Sequence, residues 1–229
     1  MKIKKVYLGQ RQIRPDTSWN PWAYTVAYYP LKSDFKDYSW KNRDGTSSWS
    51  CTFQDNGCYF AQWYVSIPTP TELGTSWVCT FSLWIKEWNP MTWWPYSRWY
   101  NKIVGQRYEW NDSKTSFCVW WAWDNGSSTK YQINESSKIF ENNKREYVTV
   151  TYTWWSTYKV YRNWSLVGTY NYSFNPKNNL WTSNWYINYF NNWWSVNRTL
   201  SEIIIESKVR TDQEISDYFN KTKSKYWIS

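Results

Sequence analysis

The sequence predicts an all-β protein, an antiparallel two-sheet sandwich of jelly-roll type closed by a short C-terminal helix. Three observations carry that expectation. Short runs with alternating apolar and polar residues recur between clusters of turn residues. Aromatics make up 23% of the chain and the polar remainder is rich in Asn, Ser and Thr, a composition that favours strands and turns over helices. Tryptophan also stands where turns call for glycine: the 229 residues hold 23 Trp and 7 Gly, against about 16 glycines at average usage. A chain of this length fits one large β domain.

In chain order, residues 1–19 read as an arm and linker. A short strand from Lys4 to Leu8 precedes Arg14-Pro15-Asp16-Thr17-Ser18, proline plus small polar residues. The sandwich spans 20–229, opening with Tyr24 to Tyr29. Strands follow at Cys51 to Phe53, Cys58 to Ile67, Val78 to Lys86, Lys102 to Arg107, Ser116 to Trp123 and Thr129 to Ile133. The second half continues with Tyr147 to Thr153, Tyr158 to Arg162, Ser165 to Tyr170, Trp185 to Phe190 and Ser201 to Glu206. Val148, Val150 and Tyr152 alternate strictly with Thr149, Thr151 and Thr153, which predicts one buried and one wet face and antiparallel pairing. The helix begins at Thr211-Asp-Gln-Glu214, where Thr and Glu cap each other's end of the first turn. Ile215, Tyr218 and Phe219 then share one face, with lysines toward the C-terminal end.

Many tryptophans fall between these strands, at Ser39-Trp40-Lys41, Trp154-Trp155, Asn163-Trp164, Asn184-Trp185 and Asn192-Trp193-Trp194. The two-residue link Asn163-Trp164 calls for positive φ at both positions, where Asn-Gly is the favoured pair and a Cβ is costly. The recurrence predicts that many of these positions are glycine in the natural protein, through UGA codons that some bacterial lineages and their viruses read as glycine. The alternative is a true Trp-rich chain with exposed indoles as contact platforms. Trp84, inside the strand Thr80 to Lys86, reads as a genuine indole, followed by Trp121 and Trp123.

Function classes narrow by elimination. The chain has no histidine, which removes Ser-His-Asp and Cys-His chemistry. A retaining glycosidase needs two carboxyl groups about 5 Å apart, and neither Glu-x-Asp-x-Glu nor Glu-x-Asp-x-x-Glu occurs. Glu202 and Glu206 share a strand face about 13 Å apart by strand rise and are expected in solvent. The net charge of +9 is dispersed over the lysines, without a nucleic-acid-binding motif, and reads as a solvated basic surface. Cys51, Cys58, Cys79 and Cys118 lack metal-ligand spacing and read as reduced thiols. Neither a signal peptide nor a membrane-spanning run is seen.

The order of Val26-Ala-Tyr-Tyr-Pro-Leu31, Asp37-Tyr-Ser39, Cys58-Tyr-Phe60 and Tyr64-Val-Ser-Ile-Pro68 resembles the start of concanavalin A-like lectin/glucanase domains of the laminin-G type. Thr80 to Lys86 resembles their central strand with its Trp, and Tyr158 to Val167 their Tyr-x-Asn-Gly hairpin with Trp164 in the glycine slot. The closing strand and helix match from Leu200 to Asn220. The arm from Ile3 to Pro15 resembles the leading segment of some phage tail-associated proteins. The resemblance implies a non-catalytic carbohydrate-recognition domain on a virion or cell surface, with glycan as partner and the arm bound to other structural proteins. A calcium ion is a candidate cofactor and a homo-oligomer a candidate assembly. No nucleic-acid partner and no membrane insertion are expected. Sugar binding needs aromatic faces and hydroxyl-pairing groups, and the loop candidates are Tyr96, Arg98, Tyr100, Tyr108, Asp112, Trp121, Trp123, Asp124 and Asn125. The alternatives are a structural tail or decoration protein that contacts only other proteins and, less favoured, a glycoside hydrolase.

Overall fold

The computed structural model describes residues 7–8, 11–12, 23–47, 51–54, 56–61, 65–68, 70–73, 78–87, 105–108, 115–118, 144–153, 157–171, 185–187 and 197–226. They form an all-β sandwich of antiparallel strands with one described helix, as the sequence predicts. The short strands β1 (Tyr7–Leu8) and β2 (Arg11–Gln12) pair with each other and, among the described residues, with no other strand. Strands β3 (Thr25–Tyr29), β4 (Thr46–Ser47), β5 (Thr52–Gln54), β6 (Gly57–Ala61) and β7 (Val65–Ile67) follow. The run expected as one strand from Cys58 to Ile67 is two: β6 lies in the large sheet and β7 in the small one.

Strand β8 (Cys79–Glu87) precedes β9 (Gly105–Tyr108) and β10 (Thr115–Cys118), which pair with each other. Then come β11 (Arg145–Thr153), β12 (Thr157–Arg162), β13 (Ser165–Asn171), β14 (Trp185–Ile187), β15 (Asn197–Glu206) and the helix α1 (Asp212–Tyr226). The large sheet runs β13-β12-β11-β8-β15-β6-β5, with β3 also paired to β15; the small sheet runs β14-β7-β4. The strand expected at Thr129 to Ile133 lies outside the described residues.

Alternation places the core between the two sheets. Cys79, Phe81, Leu83 and Ile85 of β8 face inward with Val148, Val150 and Tyr152 of β11, Val160 of β12 and Leu200, Ile203 and Ile205 of β15. Val65 and Ile67 meet them from the small sheet. The opposite face of the large sheet departs from expectation. Thr149 and Thr151, read as wet, are buried, and Thr153 alone of the three is exposed. Trp84, Tyr147 and Tyr161 on that face form a second cluster with Ile215, Phe219 and Tyr226 of α1. Trp84 is fully buried, 5.7 Å from the Phe219 ring and 5.1 Å from that of Tyr226. The helix therefore converts the second face into another interior.

The hairpin link behaves as its sequence predicts. Asn163 and Trp164 have φ of 48° and 72°, and a second tryptophan, Trp40, has φ of 77°. Both tryptophans are half exposed, so burial does not offset their backbone strain. Asn163 is held from β11: its amide donates to the Tyr147 carbonyl at 2.8 Å, and its side-chain oxygen accepts the Tyr147 amide at 2.9 Å. Trp185 is different. It opens β14 opposite Ile67 and is not among the positive-φ residues, so pairing with β7 decides its conformation rather than a turn.

Candidate functional site

The nine loop residues proposed for sugar contact lie outside the described residues, except that the backbone of Tyr108 closes β9. The site the structure does describe is a cleft of about 400 Å³ on the helix-bearing face of the large sheet. Its floor is the outer face of the β11–β12 hairpin, where Thr151 stands opposite Lys159 and Thr153 opposite Thr157. Its wall is the segment Val209, Arg210, Thr211 and Asp212 that leads into α1. Each wall group is fixed by a separate local rule.

Thr211 and Glu214 form the predicted capping box: the Glu214 amide donates to the Thr211 hydroxyl at 3.2 Å and the Thr211 amide to the Glu214 carboxylate at 2.9 Å. Partial burial raises the Glu214 carboxyl, but Lys208 and the Thr211 amide outweigh it and hold it below the usual range. Asp212 then occupies the first helical turn, where a carboxylate suits the helix dipole. It accepts a 2.6 Å hydrogen bond from the Tyr161 hydroxyl, and burial together with this bond raises the phenol's pKa. Thr153 donates to the Thr157 carbonyl at 3.0 Å. Lys159 has no ion-pair or hydrogen-bond partner among the described residues.

Beneath the wall, Arg210 is buried, ion-paired with Glu206 and donating to the Tyr147 hydroxyl at 3.2 Å. Its guanidinium also lies 4.8 Å from the centre of the Tyr218 ring. Burial pushes the Glu206 carboxyl up, opposed by Arg210. Glu202 is also buried; its Oε1 accepts from the Tyr28 hydroxyl at 3.0 Å and from Lys225 at 3.1 Å. The expectation of two solvated glutamates is therefore corrected. At 3% and 1% exposure they are anchors for α1, each matched by a cation. Lys225 contacts Glu202 and Arg210 contacts Glu206, so each carboxylate is tied to the segment that carries or leads into α1.

The loop before β4 tests the calcium expectation. The Asp37 carboxylate accepts from the Tyr28 amide at 3.0 Å, the Ser39 amide at 2.8 Å, the Ser39 hydroxyl at 2.9 Å and the Arg43 amide at 3.0 Å. Four donors fill its acceptor sites, so Asp37 shapes the loop and does not fit a cation ligand. Asp34 accepts from the Lys36 amide and Tyr38 hydroxyl, and Asp44 from the Asp37 amide. No cluster of three metal-ligating side chains occurs among the described residues. Cys51, Cys58 and Cys79 are free, as expected of reduced thiols; the Cys118 side chain lies outside the description.

No family model and no curated protein matches this chain in sequence. Solved structures do match its fold. The binding domain of botulinum neurotoxin DC, in complex with SialylT, aligns with a TM-score of 0.60 at 16% identity, over 87% of this chain and 52% of that one. The HCR/D W1238A mutant aligns at 0.63 and 15% identity, over 87% and 52%. Trypanosoma rangeli sialidase aligns at 0.61 and 14% identity, over 84% and 32%. The chain thus spans about half of the binding-domain chains and about a third of the sialidase. At these identities the likeness establishes the sandwich, independently of any motif.

Proposed function

We propose that this chain is a non-catalytic, lectin-like carbohydrate-recognition domain of the laminin-G type, carried on a virion or cell surface. The observation that carries the reading is the open, threonine-lined cleft on a sandwich. The binding domain of botulinum neurotoxin DC, of similar fold, is known in complex with SialylT. The absence of histidine from the sequence, together with the engagement of Glu202 and Glu206 in anchoring α1, supports a binding role over catalysis. A glycan array including bacterial surface polysaccharides tests it: selective binding is expected, and a blank array refutes it. Turnover of β-glucans or sialosides would overturn the non-catalytic part.

The structural tail-protein reading has one observation of its own, the self-paired β1–β2 hairpin in the arm. Deleting residues 1–15 should then abolish assembly into a larger particle while the sandwich still melts cooperatively. We also propose that Trp40 and Trp164 stand at glycine positions, because both combine left-handed backbone with half-exposed side chains. UGA codons at the two positions, and glycine in the intact mass of protein made by the natural host, are the expected results; UGG codons would sink the idea.

A further inference from the structure

We propose that the cleft between the β11–β12 hairpin and the start of α1 binds a neutral, polyhydroxylated ligand, a sugar ring held between Lys159 and Asp212. The inference rests on the glycan-recognition reading and assigns it a place and a ligand class.

Lys159 from β12 and Asp212 from the start of α1 line one cavity without forming an ion pair with each other. Asp212 is held in place by Tyr161 through one oxygen, and its second oxygen has no partner among the described residues. The cleft therefore offers three ammonium donors on its floor and a charged acceptor on its wall. The side chains of Thr151, Thr153, Thr157 and Thr211 line the same cavity; the Thr153 hydroxyl donates to the Thr157 carbonyl and the Thr211 hydroxyl to Glu214, and each keeps acceptor capacity.

Three ligand classes compete for such a surface. An anion would gain from Lys159 but would sit against the Asp212 carboxylate in the same cavity. An apolar group would strip water from both charges and return no hydrogen bonds. A neighbouring pair of hydroxyls satisfies both walls, one accepting from Lys159 and one donating to Asp212, through charge-assisted bonds. The Val209 side chain and the threonine methyls supply contact for ring C–H groups. The volume lies within the usual range for small-ligand pockets. The floor is a paired hairpin and the wall a capped helix start, so little ordering is needed on binding.

The test applies the full chain and three variants to a printed array of neutral and acidic oligosaccharides. Wild type should bind a subset of neutral glycans. Lys159→Ala and Asp212→Asn should each weaken those signals about tenfold, the loss of one charge-assisted hydrogen bond. Thr153→Phe, placed at an exposed position to fill the cavity, should abolish them, while melting curves report that all three variants remain folded. Array binding that survives unchanged in folded Thr153→Phe and Lys159→Ala overturns the site and leaves the glycan reading standing. Binding confined to acidic glycans overturns the ligand class. A blank wild-type array overturns the site together with the reading it rests on.

Discussion

The two faces of the large sheet are both interior, yet they are built in opposite ways. The inward face is aliphatic and aromatic, and it closes against β7 by apolar contact. The outward face is buried by α1 with threonines, serines, an Arg–Glu pair and a Lys–Glu pair in its surface, gathered round Trp84 and Tyr147. The first is held by area removed from water, about 25 cal/mol per Å². The second adds polar matches to its aromatic packing, as Ser82 meets Thr149 at 3.2 Å, while the Trp84 indole N–H has no hydrogen-bond partner among the described residues. A face of the first kind tolerates exchange of similar shapes; a face of the second kind fails when one partner is removed.

The largest expected effect compares their centres. Trp84→Ala should cost about 4 kcal/mol and Leu83→Ala about 3 kcal/mol in denaturant melts. A cost below about 1 kcal/mol for Trp84 would mean that α1 covers the face only loosely, and would break the comparison. Next is the buried pair. Arg210→Met should cost about 3 kcal/mol by stranding Glu206, whereas Glu206→Leu together with Arg210→Met should recover most of it. Equal losses in the single and double variants would show that the pair contributes net stability, not only matching.

A smaller change has the opposite sign. Trp164→Gly should raise stability by about 1 kcal/mol by relieving left-handed strain at an exposed residue, with Trp40→Gly similar. The smallest effect is in acid. The Glu214 carboxyl lies low in the fold, so its contribution is present above its unfolded pKa, about 4.3, and is lost as pH falls through the folded value. Glu214→Gln should flatten the fall in melting temperature between about pH 5 and 3. An unchanged slope would remove the cap from the account of the outer face.

The inward face was legible because period two in Val148, Val150 and Tyr152 is a local property of the chain. The outer face was not, since nothing within β11 or β15 announces that α1 will fold over Thr149, Thr151, Glu202 and Glu206. Charge alone argues for solvent there, and the counter-charges come from Arg210 and Lys225, on the segment before α1 and near its C-terminal end. The Asn163-Trp164 turn could be read from two residues, whereas Trp185 could not, because its partner Ile67 lies in another strand. Lys159 and Asp212 carried no motif; only the pairing of hairpin and helix start brings them to one cavity.

Strand β15 changes partner midway along one edge, from β6 at Asn197–Leu200 to β3 at Ile203–Glu206, while its other edge follows β8. Glu202, at φ 52°, sits at the handover, where the register shifts. In the described sheet order, β13-β12-β11-β8 and β6-β5 meet only through this strand. The middle of the sheet is therefore supplied by a strand that follows every other described strand in sequence. Two half-sheets with open edges must wait until β15 has been made, a high contact order that favours slow folding and exposes those edges to pairing between nascent chains.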